Sequence, residues 1–289
     1  MTTRLVRRLS LSLLTLAITA VLLPAGVAHA NAAERYVALG DSAASGPLIP
    51  LPDLSAPGCF RSTKNYPKLV AAQLSLPIAD VTCSGADTGD MTNPQETDLG
   101  TVGPQFDALG ADTTVVTLQI GGNDAGLVGL AESCLNLFPD PFGNSCKAEN
   151  TAGGGDVYGE RVAGVAPKVA GVLAGIHERA PNARVFVVGY TTYLPPSGCY
   201  PRVQVWARDA DYIQAKIDQL NQVLADAAAA NNATYVDIRT PGIGKDVCKS
   251  RSVRWTEPFI PQNVAAPLHP NATGMRGMAD VVAAAVSAG

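Results

Sequence analysis

The 289-residue chain holds only three histidines and no Cys-x-x-Cys pair, which leaves too few ligands at the usual spacings for a zinc site. It also lacks basic runs, and with a formal charge of −4 neither nucleic acid nor an anionic membrane is expected as its main partner. The one long apolar run, residues 9–23, falls short of the ~20 residues that a spanning helix needs. No Ser/Gly-rich linker or internal repeat interrupts the body, so a second domain is not expected. Its loops are apolar rather than rich in sugar-stacking aromatics, which disfavours carbohydrate.

What is present begins with an export signal. Arg4, Arg7 and Arg8 precede the apolar run, and Ala28-His29-Ala30 is a small-x-small cleavage site, so residues 1–30 read as a signal peptide. Cleavage near Ala30 starts the mature chain near Asn31, although Ala32 and Ala33 also fit, and the protein is expected outside the cell. The leader removes three Arg and no acid, leaving 18 basic against 25 acidic residues, a formal charge of −7. Residues 31–289 can then bury a sizeable core as one domain. In an exported chain the six cysteines read as disulfides, with fifteen connectivities open.

Strand and helix patterns alternate along this body. Strands are expected at residues 35–39, 79–83, 114–120, 184–189 and 234–238, mostly apolar on both faces. Helices are expected at 66–74, 162–179, 209–231 and 273–288. Such alternation predicts an α/β fold, a parallel sheet covered on both faces, with ligands at the carboxyl ends of the strands. The first three strands end at Gly40-Asp41-Ser42, Cys83-Ser84-Gly85-Ala86 and Gly121-Gly122-Asn123-Asp124. The fourth opens a loop from Tyr190 through Trp206, and the fifth leads past Cys248 to His269.

A serine at such a turn is either a helix cap or an exposed nucleophile, and as a nucleophile it needs a base. His29 leaves with the signal and His177 sits at a helix end, which leaves His269, braced by Pro267 and Pro270. An acyl-transfer oxyanion needs hydrogen-bond donors, and the Ser42 N–H, the Gly85 N–H and the Asn123 amide are candidates. Taken singly, each residue has a bland reading as a cap or a turn. Gathered on one sheet edge, they point to acyl-transfer chemistry.

These blocks, in this order and ending in His269-Pro270-Asn271, resemble those of secreted actinobacterial SGNH (GDSL-type) hydrolases. Cys59-Phe60-Arg61-Ser62 with Tyr66-Pro67 is similar to a loop of lipases and esterases of that group. The resemblance implies a flavodoxin-like three-layer α/β/α sandwich whose five-stranded parallel sheet has the order 2-1-3-4-5. It implies Ser42 as nucleophile, His269 as general base and then acid, and an oxyanion hole of Ser42, Gly85 and Asn123. It also implies disulfides pairing Cys59 with Cys83, Cys134 with Cys146 and Cys199 with Cys248, and neither cofactor nor metal.

One position departs from the family pattern. The Asp usually found three residues before the histidine is replaced by Ala266, and neither Ala265 nor Pro267 can substitute for it. The carbonyl of Ala266 or of Pro267 is therefore expected to orient the ring, with Glu257 and Asp280 as the carboxylates to test against it. Asp41 and Asp124 are expected to hold loops. The expected activity is that of a monomeric esterase or lipase on acyl-ester or lipid substrates, with at most transient contact with lipid surfaces. A phospholipase, an acyltransferase or a non-catalytic secreted binding module is the alternative. The acyl groove is expected from residues 48–52, 135–142 and 193–196.

Overall fold

Five short runs of strand-forming residues stack into a parallel sheet because their side chains are apolar on both faces. In the computed structural model the described residues are 1–2 and 35–289. The expected signal segment and its cleavage site therefore lie almost wholly outside them. The strands are β1 (Tyr36–Gly40), β2 (Ile78–Asp80), β3 (Gln95–Thr97), β4 (Gly100–Val102), β5 (Val115–Gln119), β6 (Arg184–Val188) and β7 (Thr234–Val236). The parallel sheet has the order β2-β1-β5-β6-β7, which is 2-1-3-4-5 among its own strands, while β3 and β4 form a separate antiparallel hairpin.

Alternate residues of each strand point to opposite faces and bury into two cores. Val37 and Leu39 of β1 join Val116, Leu118, Val185 and Val187 in one cluster, whereas Tyr36, Ala38, Phe186 and Val188 join the other. The helices are α1 (Ser42–Ser45), α2 (Tyr66–Leu74), α3 (Leu127–Ser133), α4 (Cys146–Asn150), α5 (Val157–Ala163), α6 (Val165–Arg179), α7 (Ala207–Ala230), α8 (Arg239–Gly242) and α9 (Ala272–Ala288). On one face α2 packs against α9; on the other α6 packs against α7.

Several elements differ from the sequence expectation, among them the short helices α3, α4 and α8. The helix expected at 162–179 is broken into α5 and α6 at Gly164. Pro167 has no N–H to bond the Ala163 carbonyl, and its ring crowds that carbonyl, so the preceding helix stops there. The second strand is regular only to Asp80 rather than 83; beyond it Val81 and Cys83 still donate to the Ala38 and Gly40 carbonyls of β1, while Thr82, on the outer side, bonds the Asp80 carboxylate. The hairpin β3–β4 was not expected at all.

Three disulfides join loops near in sequence: Cys59–Cys83, Cys134–Cys146 and Cys199–Cys248, with separations of 24, 12 and 49 residues. The chain leaves β1 through Gly40, whose amide and carbonyl both bond the Gln105 side chain, at 2.8 and 3.0 Å. Gly40 has φ +154°, and a Cβ there would lie 2.6 Å from the Gln119 carbonyl oxygen. Gly40→Ala should therefore lower stability by about 2–3 kcal/mol through backbone strain and overpacking. Urea unfolding with the disulfides intact measures the loss.

Candidate active site

Asp41 caps α1, a four-residue turn closed by Gly46 in the left-handed region, so the first helical residue, Ser42, stands half-buried at the sheet edge. Its hydroxyl oxygen lies 2.7 Å from His269 Nε2, across 227 residues of sequence. The other ring nitrogen, Nδ1, lies 2.6 Å from the Pro267 carbonyl oxygen. A carbonyl can only accept, so Nδ1 carries the proton and Nε2 keeps a lone pair facing the serine. Burial holds the His269 pKa below its ordinary value, although the Pro267 carbonyl pulls the other way. The ring is thus an uncharged acceptor aimed at the Ser42 hydroxyl.

Of the two carbonyls expected to orient the ring, Pro267 reaches it and Ala266 does not. The Ala266 carbonyl instead accepts the His269 backbone N–H at 3.3 Å. The same loop is fastened by Leu268 N–H to the Glu257 carbonyl, Glu257 N–H to the His269 carbonyl and Ala266 N–H to the Pro47 carbonyl. Neither carboxylate candidate bonds the ring. Asp280 accepts from Gln73 at 2.9 Å, at the surface. Glu257 is buried and accepts from the Gln262 and Asn263 amides and from the Asn263 and Asn271 side chains. Burial pushes its carboxyl up, but those hydrogen bonds outweigh it and hold the pKa below the ordinary value. Glu257 thus anchors the loop that carries His269.

The three expected oxyanion donors have spare N–H groups. The Ser42 and Gly85 N–H groups have no acceptor among the described residues. Asn123 Nδ2 gives one hydrogen to the Ala86 carbonyl at 2.7 Å and keeps the other. Ser42 and Asn123 line the cavity, whereas Gly85, with φ +82°, is not part of that lining. The Gly85 turn is pinned by Gln95 Nε2 on the Ser84 carbonyl (2.8 Å) and by Ser84 Oγ against Ser45 Oγ (2.9 Å). Asp124 takes the Thr88 hydroxyl and amide at 2.6 and 3.0 Å, tying the second block to the third. His177 lies elsewhere, its Nε2 against the Asn231 carbonyl at 2.9 Å.

The sequence reading missed Tyr190, at the end of β6. Its hydroxyl donates to Asp41 Oδ2 at 2.5 Å and accepts the Gly122 N–H at 2.9 Å. Asp41 Oδ1 in turn accepts the Ala43 N–H at 2.8 Å. Burial pushes the Asp41 carboxyl up to about 7, against the pull of Tyr190 and the Ala43 amide. One phenol thus joins the turn that presents Ser42 to the turn that presents Asn123. The available signal was its place at a strand's carboxyl end, where the other blocks also sit.

The cavity beside Ser42 and His269 has mostly apolar walls. They come from α3 (Leu127, Val128, Ala131), α7 (Ile213, Ile217) and the loops carrying Val205, Val247 and Phe259. This corrects the expected groove, of which only Tyr193 and Leu194 contribute. Residues 48–52 turn away because Leu51 pairs with Thr63 and Ile49 buries in the opposite core. Residues 135–142 lie outside the lining, with Leu137, Phe138 and Phe142 in solvent.

The chain is similar to known proteins over most of its length. The model of the GDSL-like lipase/acylhydrolase family matches residues 38–276. Lipase 2 of Streptomyces coelicolor is 36% identical over 273 residues, covering 92% of this chain and 90% of that protein. The crystal structure of an extracellular lipase from Streptomyces rimosus superposes with a TM-score of 0.73 at 30% identity, covering 88% of this chain and 100% of the other. That of phospholipase A1 from Streptomyces albidoflavus NA297 gives 0.72 at 29%, covering 87% and 99%. The chain belongs to the GDSL lipase/acylhydrolase family, with the SGNH hydrolase fold, and is a carboxylic ester hydrolase.

Removing the Tyr190 hydroxyl leaves the Asp41 carboxylate and the Gly122 amide each short of a partner. Tyr190→Phe is expected to cost about 1–3 kcal/mol of stability. Because it loosens the turns holding Ser42 and Asn123, it should also lower kcat for ester hydrolysis about tenfold with KM little changed. Urea unfolding and steady-state kinetics read the two effects.

Proposed function

We propose that this chain is an exported serine esterase or lipase acting through a Ser42–His269 dyad, with the Pro267 carbonyl in place of the orienting acid. The observation that carries the reading is the ring of His269 bridging Ser42 Oγ and the Pro267 carbonyl oxygen at 2.7 and 2.6 Å. Ser42 Oγ attacks the ester carbonyl while its proton passes to Nε2. The oxyanion is met by the Ser42 and Gly85 N–H groups and the unused Asn123 hydrogen. The imidazolium returns its proton to the departing alcohol, and water, activated the same way, releases the acid. No metal or cofactor enters these steps. The apolar cavity takes the acyl chain.

Export is supported by the Arg4-to-Ala30 leader pattern and by the three disulfides, since disulfides persist in oxidising compartments. Residues 31–289 would then work as a single, monomeric hydrolase domain. Phospholipids stand beside simple esters as substrates on one ground, the structural likeness to a phospholipase A1. An acyltransferase would use the same residues, with an alcohol replacing water in the second step.

Ser42→Ala and His269→Ala should each lower kcat on p-nitrophenyl esters by about 10⁴ or more. A fluorophosphonate should label wild-type Ser42 stoichiometrically, and a folded, active sample that stays unlabelled there would refute Ser42 as the nucleophile. Glu257→Gln should cost far less than the ~10⁴ that follows from spoiling the orienting acid of a triad. A loss of that size at Glu257 or Asp280 would sink the dyad.

The pH profile follows from the lowered His269 pKa. The base works when neutral, so kcat/KM rises as the ring loses its proton and is level above that pKa. The acid limb should have its midpoint below imidazole's ordinary value of about 6.5. Stopped-flow or steady-state rates across that range test it, and a midpoint above the ordinary value would mean that a carboxylate raises it.

A further inference from the structure

Leu137, Phe138 and Phe142 are 78, 65 and 73% exposed, on a loop that gives them no inward place. The loop is stiff. Cys134–Cys146 closes its ends, and Asn136 bonds the Asn144 carbonyl and amide at 2.8 and 3.1 Å. Its inner side is pinned by Asn136 N–H on the Gln204 carbonyl (2.7 Å) and by Trp206 Nε1 on the Phe138 carbonyl (2.9 Å). Part of the loop's backbone is thus tied to the protein while the large apolar side chains face out.

These pins lead straight to the cavity. Leu135 forms a bridge with Val205, which lines it, and the loop continues from α3, whose Val128 both lines the cavity and is exposed. On another part of the wall, Pro258 and Phe259 run into Ile260, which is also exposed. Apolar exposure therefore continues outward from the walls of the substrate cavity.

We propose that this loop docks the protein on the surface of an uncharged or zwitterionic lipid phase, so that the cavity draws its acyl ester from that phase. The inference rests on the cavity being the acyl site. Charge argues for this surface: Asp140, the only ionised side chain in residues 135–142, is paired with Arg208 at 2.9 Å, and the chain as a whole is net negative. Nothing in the loop attracts an anionic headgroup. Size argues against a protein partner, because three or four side chains fall well short of the roughly 800 Å² that each side of a stable protein interface contributes. A few exposed aromatic and leucine side chains suffice for interfacial insertion.

Two variants separate docking from catalysis. Ser42→Ala protein, which holds lipid without turning it over, is floated with phosphatidylcholine vesicles, with and without added phosphatidylglycerol. It is compared with the same protein carrying Leu137→Ser, Phe138→Ser and Phe142→Ser. The triple change should weaken vesicle binding about tenfold, and phosphatidylglycerol should not strengthen it. With Ser42 intact, the triple change should slow hydrolysis of emulsified lipid about tenfold while leaving kcat/KM on p-nitrophenyl butyrate unchanged. Equal binding of the two proteins, binding driven by phosphatidylglycerol, or a parallel fall on the soluble ester would overturn the proposal. So would self-association of the wild type in analytical ultracentrifugation that the triple variant loses. Failure of every ester to react, with vesicle binding intact, would instead refute the catalytic reading and leave docking standing.

Discussion

A neutral imidazole has one N–H and one lone pair, and whichever group sits beside Nδ1 decides which end faces the serine. In most relatives that the sequence resembles, an ionised Asp does this; here a backbone carbonyl does, at 2.6 Å. The carbonyl fixes the tautomer as firmly as a carboxylate, because it too can only accept. It differs in being a dipole rather than a charge. A dipole would stabilise a protonated ring less than a charge does. His269 accordingly keeps a pKa below its ordinary value, where an adjacent carboxylate would have raised it.

A dipole works only while it stays aligned, and the loop around His269 is built to stay put. Leu268 is held at a positive φ of 62°, between the Pro267 and Pro270 rings. Backbone hydrogen bonds to Glu257 fasten it on both sides of that residue. The Glu257 carboxylate then spends its acceptor sites on Gln262, Asn263 and Asn271, and Asn271 caps α9. The acid that orients the ring in related enzymes has a counterpart here that supports it one step removed, through the loop's backbone. Tyr190 plays the matching part on the other side of the cavity, linking Asp41 and Gly122 so that Ser42 and Asn123 share one frame.

Much of this was legible in the sequence where the cause is local. Residues 66–74 form a helix from Asn65, whose side chain caps it, to Ser75, whose amide closes it, and every signal for that lies within one short stretch. The ends of the first, third and fourth strands of the parallel sheet were legible for the same reason, each being an apolar run stopped by glycine. Local signals also failed. Pro167 was a visible break in the helix expected at 162–179, but the apolar period ran through it. The groove could not be placed because residues 48–52 and 135–142 read alike, as loops rich in proline and large apolar side chains. One buries Ile49 against the α9 face; the other is held outward by Gln204 and Trp206, far along the chain. Tyr190 went unread because a tyrosine after a strand is ordinary until Asp41, 149 residues away, is brought to 2.5 Å.

The loop that was misplaced as lining makes sense as a feature of the entrance. A cavity walled by Val203, Val205, Ile213 and Ile217 would stabilise an acyl chain by removing it from water. That gain is largest for a chain coming from water and nearly absent for one coming from a lipid phase, which is already apolar. An enzyme taking substrate from such a phase therefore cannot rely on the cavity alone to bring ester and serine together. It needs a second contact, made by the protein with the phase itself, and that contact must be rigidly joined to the cavity so that docking also aligns the entrance. A disulfide-closed loop, fastened by backbone hydrogen bonds to the segment that walls the cavity, meets both requirements.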